Sequence, residues 1–344
     1  MGLAEIALIV GFLLSFLMAI ALGGNDAAEP TGTAVGARVL AIKQAVVLFG
    51  IFATLGALTQ GFMVMKTIGT GICSSIDLLG AITITLSAFI WIMLCNAYGL
   101  EISVTHSTIG SILGYGIAAY GISGIRWSIM QTVVISMFTS PLLAALMAFL
   151  LYKLLKVAAT RYDTISIVMP FLLKLALCYS AYAFGANDIA NATGVYVTVA
   201  TMVLGGPPEY NVMLLLAALG SLGIVIGGFL LGPRVISTVA FRITRLNPLT
   251  GTAAQVAHGV VVHSFVTVTY MMFGHGIPIS TSLASVGALV GVGFASYGSS
   301  GINKRTTTLL LMSWAATVLT TSIVTYVLYL ILFPFTGPII KPKP

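Results

Sequence analysis

Gly23-Gly24-Asn25-Asp26-Ala27-Ala28-Glu29 and Gly185-Ala186-Asn187-Asp188-Ile189-Ala190-Asn191 are the two polar runs on which the reading of this chain turns. Each has the form Gly-x-Asn-Asp-x-Ala-x and follows an apolar stretch. The second Asp lies 188 − 26 = 162 residues after the first. A carboxylate at the centre of a membrane helix costs about 3 kcal/mol or more and is a functional-site signal by default. A matched pair, each flanked by glycine and Asn, points to a duplicated site for ions or polar solute.

The surroundings of these runs are membrane-like. Of 344 residues, 58% are hydrophobic and 7% charged, and the mean hydropathy is +1.09. A soluble domain carries about 25% charged residues, so the chain reads as a polytopic membrane protein with no large soluble domain. Strong apolar stretches lie near 4–22, 44–65, 78–98, 127–152, 165–184, 211–231, 255–273 and 306–333. Weaker Gly- and Ser-rich ones lie near 27–42, 103–122, 189–204 and 278–300. Spans need roughly 20 residues, so about 10–12 membrane segments are expected, some broken or re-entrant. The first stretch lacks a basic leader and a clear cleavage site, and reads as a retained span.

The net charge of +7 sits mostly between spans, at Arg38, Lys43, Lys153, Lys156, Arg161, Arg234, Arg242, Arg245, Lys304, Arg305, Lys341 and Lys343. That placement suits anionic lipid headgroups and topology control. No basic stripe on a soluble face suggests nucleic acid. Cys73, Cys95 and Cys178 have no metal-like spacing and read as buried thiols.

Further parallels extend the repeat. Ile102-Ser103-Val104-Thr105-His106 leads into a small-residue run from Gly110 to Gly116. Ile279-Ser280-Thr281-Ser282-Leu283 leads into another from Gly287 to Gly293, at an offset of 287 − 110 = 177. Interrupted hydrophobic segments in corresponding places of two halves point to a transporter's binding site. The expected architecture is all-α, with two inverted-topology repeats, broken helices and re-entrant hairpins. Residues 1–152 form the first repeat, 153–164 a linker and 165–344 the second.

Glycine before each Asn-Asp pair permits a helix break and close backbone approach. The Asp and Asn oxygens are hard ligands suited to Na⁺ or to holding a proton, and the Asn amide N–H groups can donate to an anion. The Ser/Thr clusters read as N-caps. Their helix N-termini would offer unpaired N–H groups to a tetrahedral oxyanion. The Gly-x-x-x-Gly spacings beyond them read as packing surfaces. None of the four runs contains Lys or Arg, so an anionic substrate beside two aspartates needs a co-bound cation. Symport follows from that charge inventory if the substrate is an anion.

His106 is a candidate substrate contact, while His258, His263 and His275 read as packing or interfacial residues. Asp77 and Glu209 read as loop or interfacial charges, and Gln60 and Asn96 as candidate supporting groups. An intramembrane enzyme is the alternative of another class, but no Gly-x-Ser-x-Gly or His-Glu-x-x-His run is present. A channel is the other rival, although paired carboxylates at broken helices suit an occluding site better.

The residues also resemble a family. Gly185 to Ala192 is similar to the GANDVANA signature of the PiT inorganic phosphate transporters. Pro278 to Ser282 resembles their PVSTTH element, and Gly232 to Pro248 resembles their basic stretch. The resemblance spans both halves. It implies no enzymatic activity, but secondary import of inorganic phosphate by symport with Na⁺ (H⁺ being the other candidate), by a multi-pass protein of the cell membrane that is often a homodimer. Sulfate-carrying relatives make sulfate the alternative substrate. Carried over by motif, Asn25, Asp26, Asn187 and Asp188 are the ion- and phosphate-binding positions. Ser103, Thr105, His106, Ser280, Thr281 and Ser282 are the hairpin groups around phosphate. The chain departs from the pattern at Glu29, where the motif has Asn. It departs again at Glu101 and Val104, where Pro and Thr are expected, and at Leu283 in place of His. Glu29 is an added candidate ligand for the cation.

Overall fold

The computed structural model describes residues 3–73, 75–204 and 210–337; Lys341, Lys343 and Glu209 lie outside them. Helices dominate the chain: α1 (Leu3–Asp26), α2 (Ala28–Gly36), α3 (Ile42–Gln60), α4 (Phe62–Lys66), α5 (Leu78–Tyr98), α6 (Val104–Tyr120), α7 (Trp127–Arg161), α8 (Asp163–Leu204), α9 (Tyr210–Leu230), α10 (Gly232–Arg242), α11 (Pro248–His263), α12 (Thr269–Phe273), α13 (Thr281–Tyr297) and α14 (Lys304–Thr336). Among the described residues, nine helical segments are long and apolar enough to cross a membrane. The 17-residue α6 adds a further apolar helix. Backbone groups have no water partners in lipid, so a helical chain is the form this composition demands.

Two local expectations change. The Asn-Asp run ends a helix only in the first half, where α1 stops at Asp26 and α2 restarts at Ala28. In the second half α8 runs unbroken through Asn187 and Asp188, which joins the stretches 165–184 and 189–204 into one helix. The glycines ahead of these pairs serve close helix approach instead. A Cβ on Gly185 would lie 1.9 Å from the Ala53 carbonyl oxygen of α3, and one on Gly23 would lie 2.0 Å from the Ile224 carbonyl oxygen of α9. The second change concerns residues 153–164. α7 carries on to Arg161, and only Tyr162 separates it from α8. The expected linker is therefore mainly helix, with Lys153 and Lys156 exposed and their ammonium groups above the rings of Phe149 and Tyr152.

The hairpin helices α6 and α13 match in length, at 17 residues each. Each ends on a tyrosine followed by a glycine in the left-handed region, Gly121 at φ 70° and Gly298 at φ 65°. Their partners also match. Cβ atoms on Gly110 and Gly114 would collide with the carbonyl oxygens of Val318 (2.7 Å) and Ser322 (2.1 Å) on α14. Those on Gly287 and Gly291 would collide with Pro141 (2.4 Å) and Ala145 (2.2 Å) on α7. Every member of one set lies 177 residues from its counterpart in the other, the spacing that separates Ser103 from Ser280. The Gly-x-x-x-Gly runs are thus packing seams, and the two halves interlock: α6 packs on α14, α13 on α7, α3 on α8 and α1 on α9. Small residues let helix backbones approach where lipid supplies no hydrophobic drive between helices. Replacing Gly114 or Gly291 with Leu is expected to abolish the monodisperse peak in detergent size-exclusion chromatography, whereas Leu at exposed Ser300 leaves it intact.

Candidate solute and cation site

Both hairpin helices begin at a serine N-cap in extended backbone, and the two caps touch. Ser103 Oγ accepts the backbone N–H of His106 and Ser280 Oγ accepts that of Leu283. Ser103 Oγ donates to Ser280 Oγ at 2.7 Å. Because the Ser103 proton is used there, the His106 Nδ1 at 2.5 Å from the same oxygen is the donor of that pair. Ser280 accepts from two groups, which leaves its own proton to donate. The N-termini of α6 and α13 therefore face each other, with the positive ends of both helix dipoles aimed at one point.

The Asn residues hold the chain that leads into these caps. Asn25 accepts the Ile102 N–H at 2.9 Å and donates to the Leu100 carbonyl at 3.0 Å and to Asn96 at 2.7 Å. Asn187 accepts the Ile279 N–H at 3.2 Å and donates to the Ile279 carbonyl at 3.0 Å and to Asp188 at 3.1 Å. Each Asn thus clamps the residue just before a serine cap. Across the interface, Thr105 donates to the Ile279 carbonyl at 3.0 Å and Ser282 donates to the Ile102 carbonyl at 3.0 Å, so each hairpin pins the other.

The carboxylates are treated unequally. Asp188 accepts from Asn187 and, at 2.9 Å, from Asn191, which also donates to Thr105 at 3.1 Å. Thr281 stands beside both Asp188 and Glu29. In the first half, Glu29 takes the place of Asn191, and its Oε1, 2.6 Å from Ser282 Oγ, shares the single Ser282 proton with the Ile102 carbonyl. A carboxylate cannot repeat the amide's donation, and neither oxygen of Asp26 has a donor. Glu101, the residue before Ile102, is likewise buried with both oxygens unpartnered. No Lys or Arg pairs with any of the four acids among the described residues; the nearest basic group is His258 Nε2, 4.0 Å from Glu29.

Every residue read from the sequence as a site candidate converges here: Asn25, Asp26, Glu29, Ser103, Thr105, His106, Asn187, Asp188, Ser280, Thr281 and Ser282 are all buried. Asn96 joins them through Asn25, whereas Gln60 lies elsewhere and accepts from Thr267. His258, expected to be a packing residue, belongs to the site. Its Nδ1 meets Ser180 at 2.6 Å, and Ser180 accepts from Gln255, which in turn accepts from Thr33. With Ser180 donating, the neutral ring carries its proton on Nε2, toward the Thr281 carbonyl at 3.2 Å and Glu29. Gln255 and His258 stand three residues apart on one face of an apolar helix, and that pairing was the available signal. Asp77 is not a loop charge but the buried N-cap of α5, accepting the Gly80 N–H at 2.6 Å and bonded by Tyr115. Away from this closed cluster, a cavity of about 690 Å³ opens beside Arg38, Arg242 and Arg245.

Comparison with known proteins decides the family. The model of the phosphate transporter family matches residues 22–175 and 158–325. The chain belongs to the phosphate transporter family. It is 32% identical to a candidate phosphate permease of Thermococcus kodakarensis, over 94% of this chain and 97% of that one. It is 26% identical to the chloroplastic inorganic phosphate transporter 2-1 of Arabidopsis thaliana, over 89% of this chain and 69% of that one. A solved structure described as the sodium-dependent phosphate transporter superposes with a TM-score of 0.86 at 27% identity, covering 96% of this chain and 99% of that one. The chain is therefore a multi-pass membrane transporter for phosphate and not an enzyme.

The clamp on the hairpin makes a stability prediction. Asn25→Ala leaves the buried Ile102 N–H and the Asn96 side-chain oxygen without their partner, at a cost of about 1–3 kcal/mol. The thermal unfolding midpoint in detergent is expected to fall, and to fall further than for Thr59→Ala at the helix surface.

Proposed function

We propose that the protein imports inorganic phosphate across the cell membrane by symport with a cation, Na⁺ before H⁺, through alternating access. The observation that carries this reading is the tip-to-tip meeting of α6 and α13 at Ser103 and Ser280. Two helix N-termini supply unpaired N–H groups and positive dipole ends to a tetrahedral oxyanion. Ser280, Thr281 and Thr105 add hydroxyls, and His106 steadies the Ser103 cap. Asp26 and Asp188 flank the point where the caps meet, on the runs fixed by Asn25 and Asn187.

An anion entering between these acids meets net negative charge. Two unit charges about 5 Å apart at an effective dielectric of about 20 repel by about 3 kcal/mol. With no Lys or Arg in the cluster, a cation must enter with the anion, and the acid and hydroxyl oxygens suit Na⁺. The name of the sodium-dependent structural relative supports the choice of Na⁺ over H⁺.

The matched packing of α6 on α14 and α13 on α7 supports two repeats joined near residues 153–164, with opposite orientations in the membrane. Such repeats rock against one another around a shared midplane site. The exposed apolar faces of α7 and α14 suit lipid and a second copy of the chain, as expected for a homodimer.

Phosphate uptake into proteoliposomes is expected to require an inward Na⁺ gradient and to stop when choline replaces Na⁺. Asp26→Asn and Asp188→Asn should each abolish it, with excess sulfate competing weakly. Uptake that persists at wild-type rates in both variants would overturn the site assignment.

A further inference from the structure

Among the described residues, the buried carboxylate oxygens that lack a donor all lie in one half of the pseudo-symmetric site. They are both oxygens of Asp26, both oxygens of Glu101 and Oε2 of Glu29. These side chains are fully buried, at 1%, 0% and 1% exposure. Asp188, the counterpart of Asp26, is served by Asn187 and Asn191. The same 177-residue step relates Ser282 to Thr105 and Glu101 to Pro278. At equivalent places, then, one half has Asn191 donating to Thr105 and Asp188, while the other has Glu29 accepting from Ser282 and giving Asp26 nothing. Where one half has an uncharged proline before its hairpin cap, the other has a carboxylate.

We propose, building on the symport reading, that Asp26, Glu29 and Glu101 form a cation-binding patch confined to the first half, which takes Na⁺ in addition to any ion held near Asp188. Burying an uncompensated carboxylate is prohibitive, and a bound cation supplies what Asn191 supplies on the other side. The three acids lie within electrostatic reach of one another: Asp26 faces the charges of Glu29 and Glu101, and Glu29 that of Glu101. Among the described residues, no three Asp, Glu, His or Cys side chains converge tightly enough to chelate one metal ion. The three acids are therefore not one chelate, and each lends its oxygens to the patch separately. The available atoms are hard oxygens, the donor type of Na⁺. Asn25 fixes Glu101 through the residues on either side of it, Leu100 and Ile102, so the carboxylate is held at the site by the same clamp that orders the hairpin. The consequence is a higher Na⁺ to phosphate ratio than the paired Asn-Asp runs alone would give.

The test is ²²Na⁺ binding to the purified full-length protein without phosphate, followed by paired ²²Na⁺ and ³²P uptake in proteoliposomes. Glu101→Gln and Glu29→Asn are each expected to weaken Na⁺ binding about tenfold or more and to lower the number of sodium ions carried per phosphate. Glu101→Pro, which installs the residue of the other half, should act in the same direction. If the variants do not fold, the unaltered chain still decides: Na⁺ should protect Glu101 and Glu29 from a membrane-soluble carbodiimide, read by peptide mass spectrometry. Equal labelling with and without Na⁺, or unchanged ²²Na⁺ binding in folded variants, would overturn the proposal. Binding is read without phosphate, so a wild-type protein that binds Na⁺ at these acids yet carries no phosphate would sink the symport reading and leave the patch standing.

Discussion

The contact between Ser103 and Ser280 is the constraint around which the molecule is arranged. It brings two helix N-termini together inside the protein, where like dipole ends repel unless something negative lies between or beside them. Nearly every other feature serves that meeting. Asn25 and Asn187 pin the extended residues before each cap. Thr105 and Ser282 cross over to pin the opposite hairpin. The glycines of α6 and α13 allow each hairpin helix to lie against a long helix of the other half. The four acids nearby supply the negative field that the facing dipoles would otherwise lack.

This arrangement couples charge to structure. On the proposed reading, acids, helix ends and hydroxyls would hold an anion only when cations share the site, because among the described residues the cluster contains no Lys or Arg. On that reading, a site built this way is poorly suited to the anion alone and favours an anion bound together with cations. Coupled binding of this kind is what symport requires, since a ligand shifts an equilibrium only by its differential affinity for the two states. The hydrogen-bond chain from Thr33 through Gln255 and Ser180 to His258 fixes the imidazole against Glu29. It gives the first half an imidazole N–H that the acids' own helices do not provide.

The pseudo-symmetry is imperfect, and the imperfections are chemical. Backbone roles are kept: the caps, the clamps and the glycine contacts correspond across the halves. Side-chain roles at Glu29 and Glu101 are not kept, because an amide donor and a proline in one half face two carboxylates in the other. Packing tolerates that change, since the site is polar in both halves. Its electrostatics differ, and so the two Asn-Asp runs offer a cation unequal surroundings.

Much was legible in the sequence because membrane chemistry leaves few options. An apolar chain must be helical to satisfy its backbone, and a polar run inside it stands out at once. The two Asn-Asp runs and two Ser/Thr clusters were therefore visible, and all of them converge. The sequence could not tell whether the glycines before Asn25 and Asn187 break a helix or admit a neighbouring one, since both uses need only a missing Cβ. In α8 the helix stays intact, because Gly185 faces the backbone of α3. Nor could it assign His258, whose role depends on which helix faces α11 and is set by Ser180 and Glu29 across the interface. The sequence alone determined a duplicated, charge-bearing helical membrane protein, through composition and repeated local chemistry. Only the tertiary structure decided which acids have hydrogen-bond partners: Asn187 and Asn191 turn toward Asp188 within α8, whereas Asn25 is drawn away from Asp26 by Asn96, Leu100 and Ile102, far along the chain.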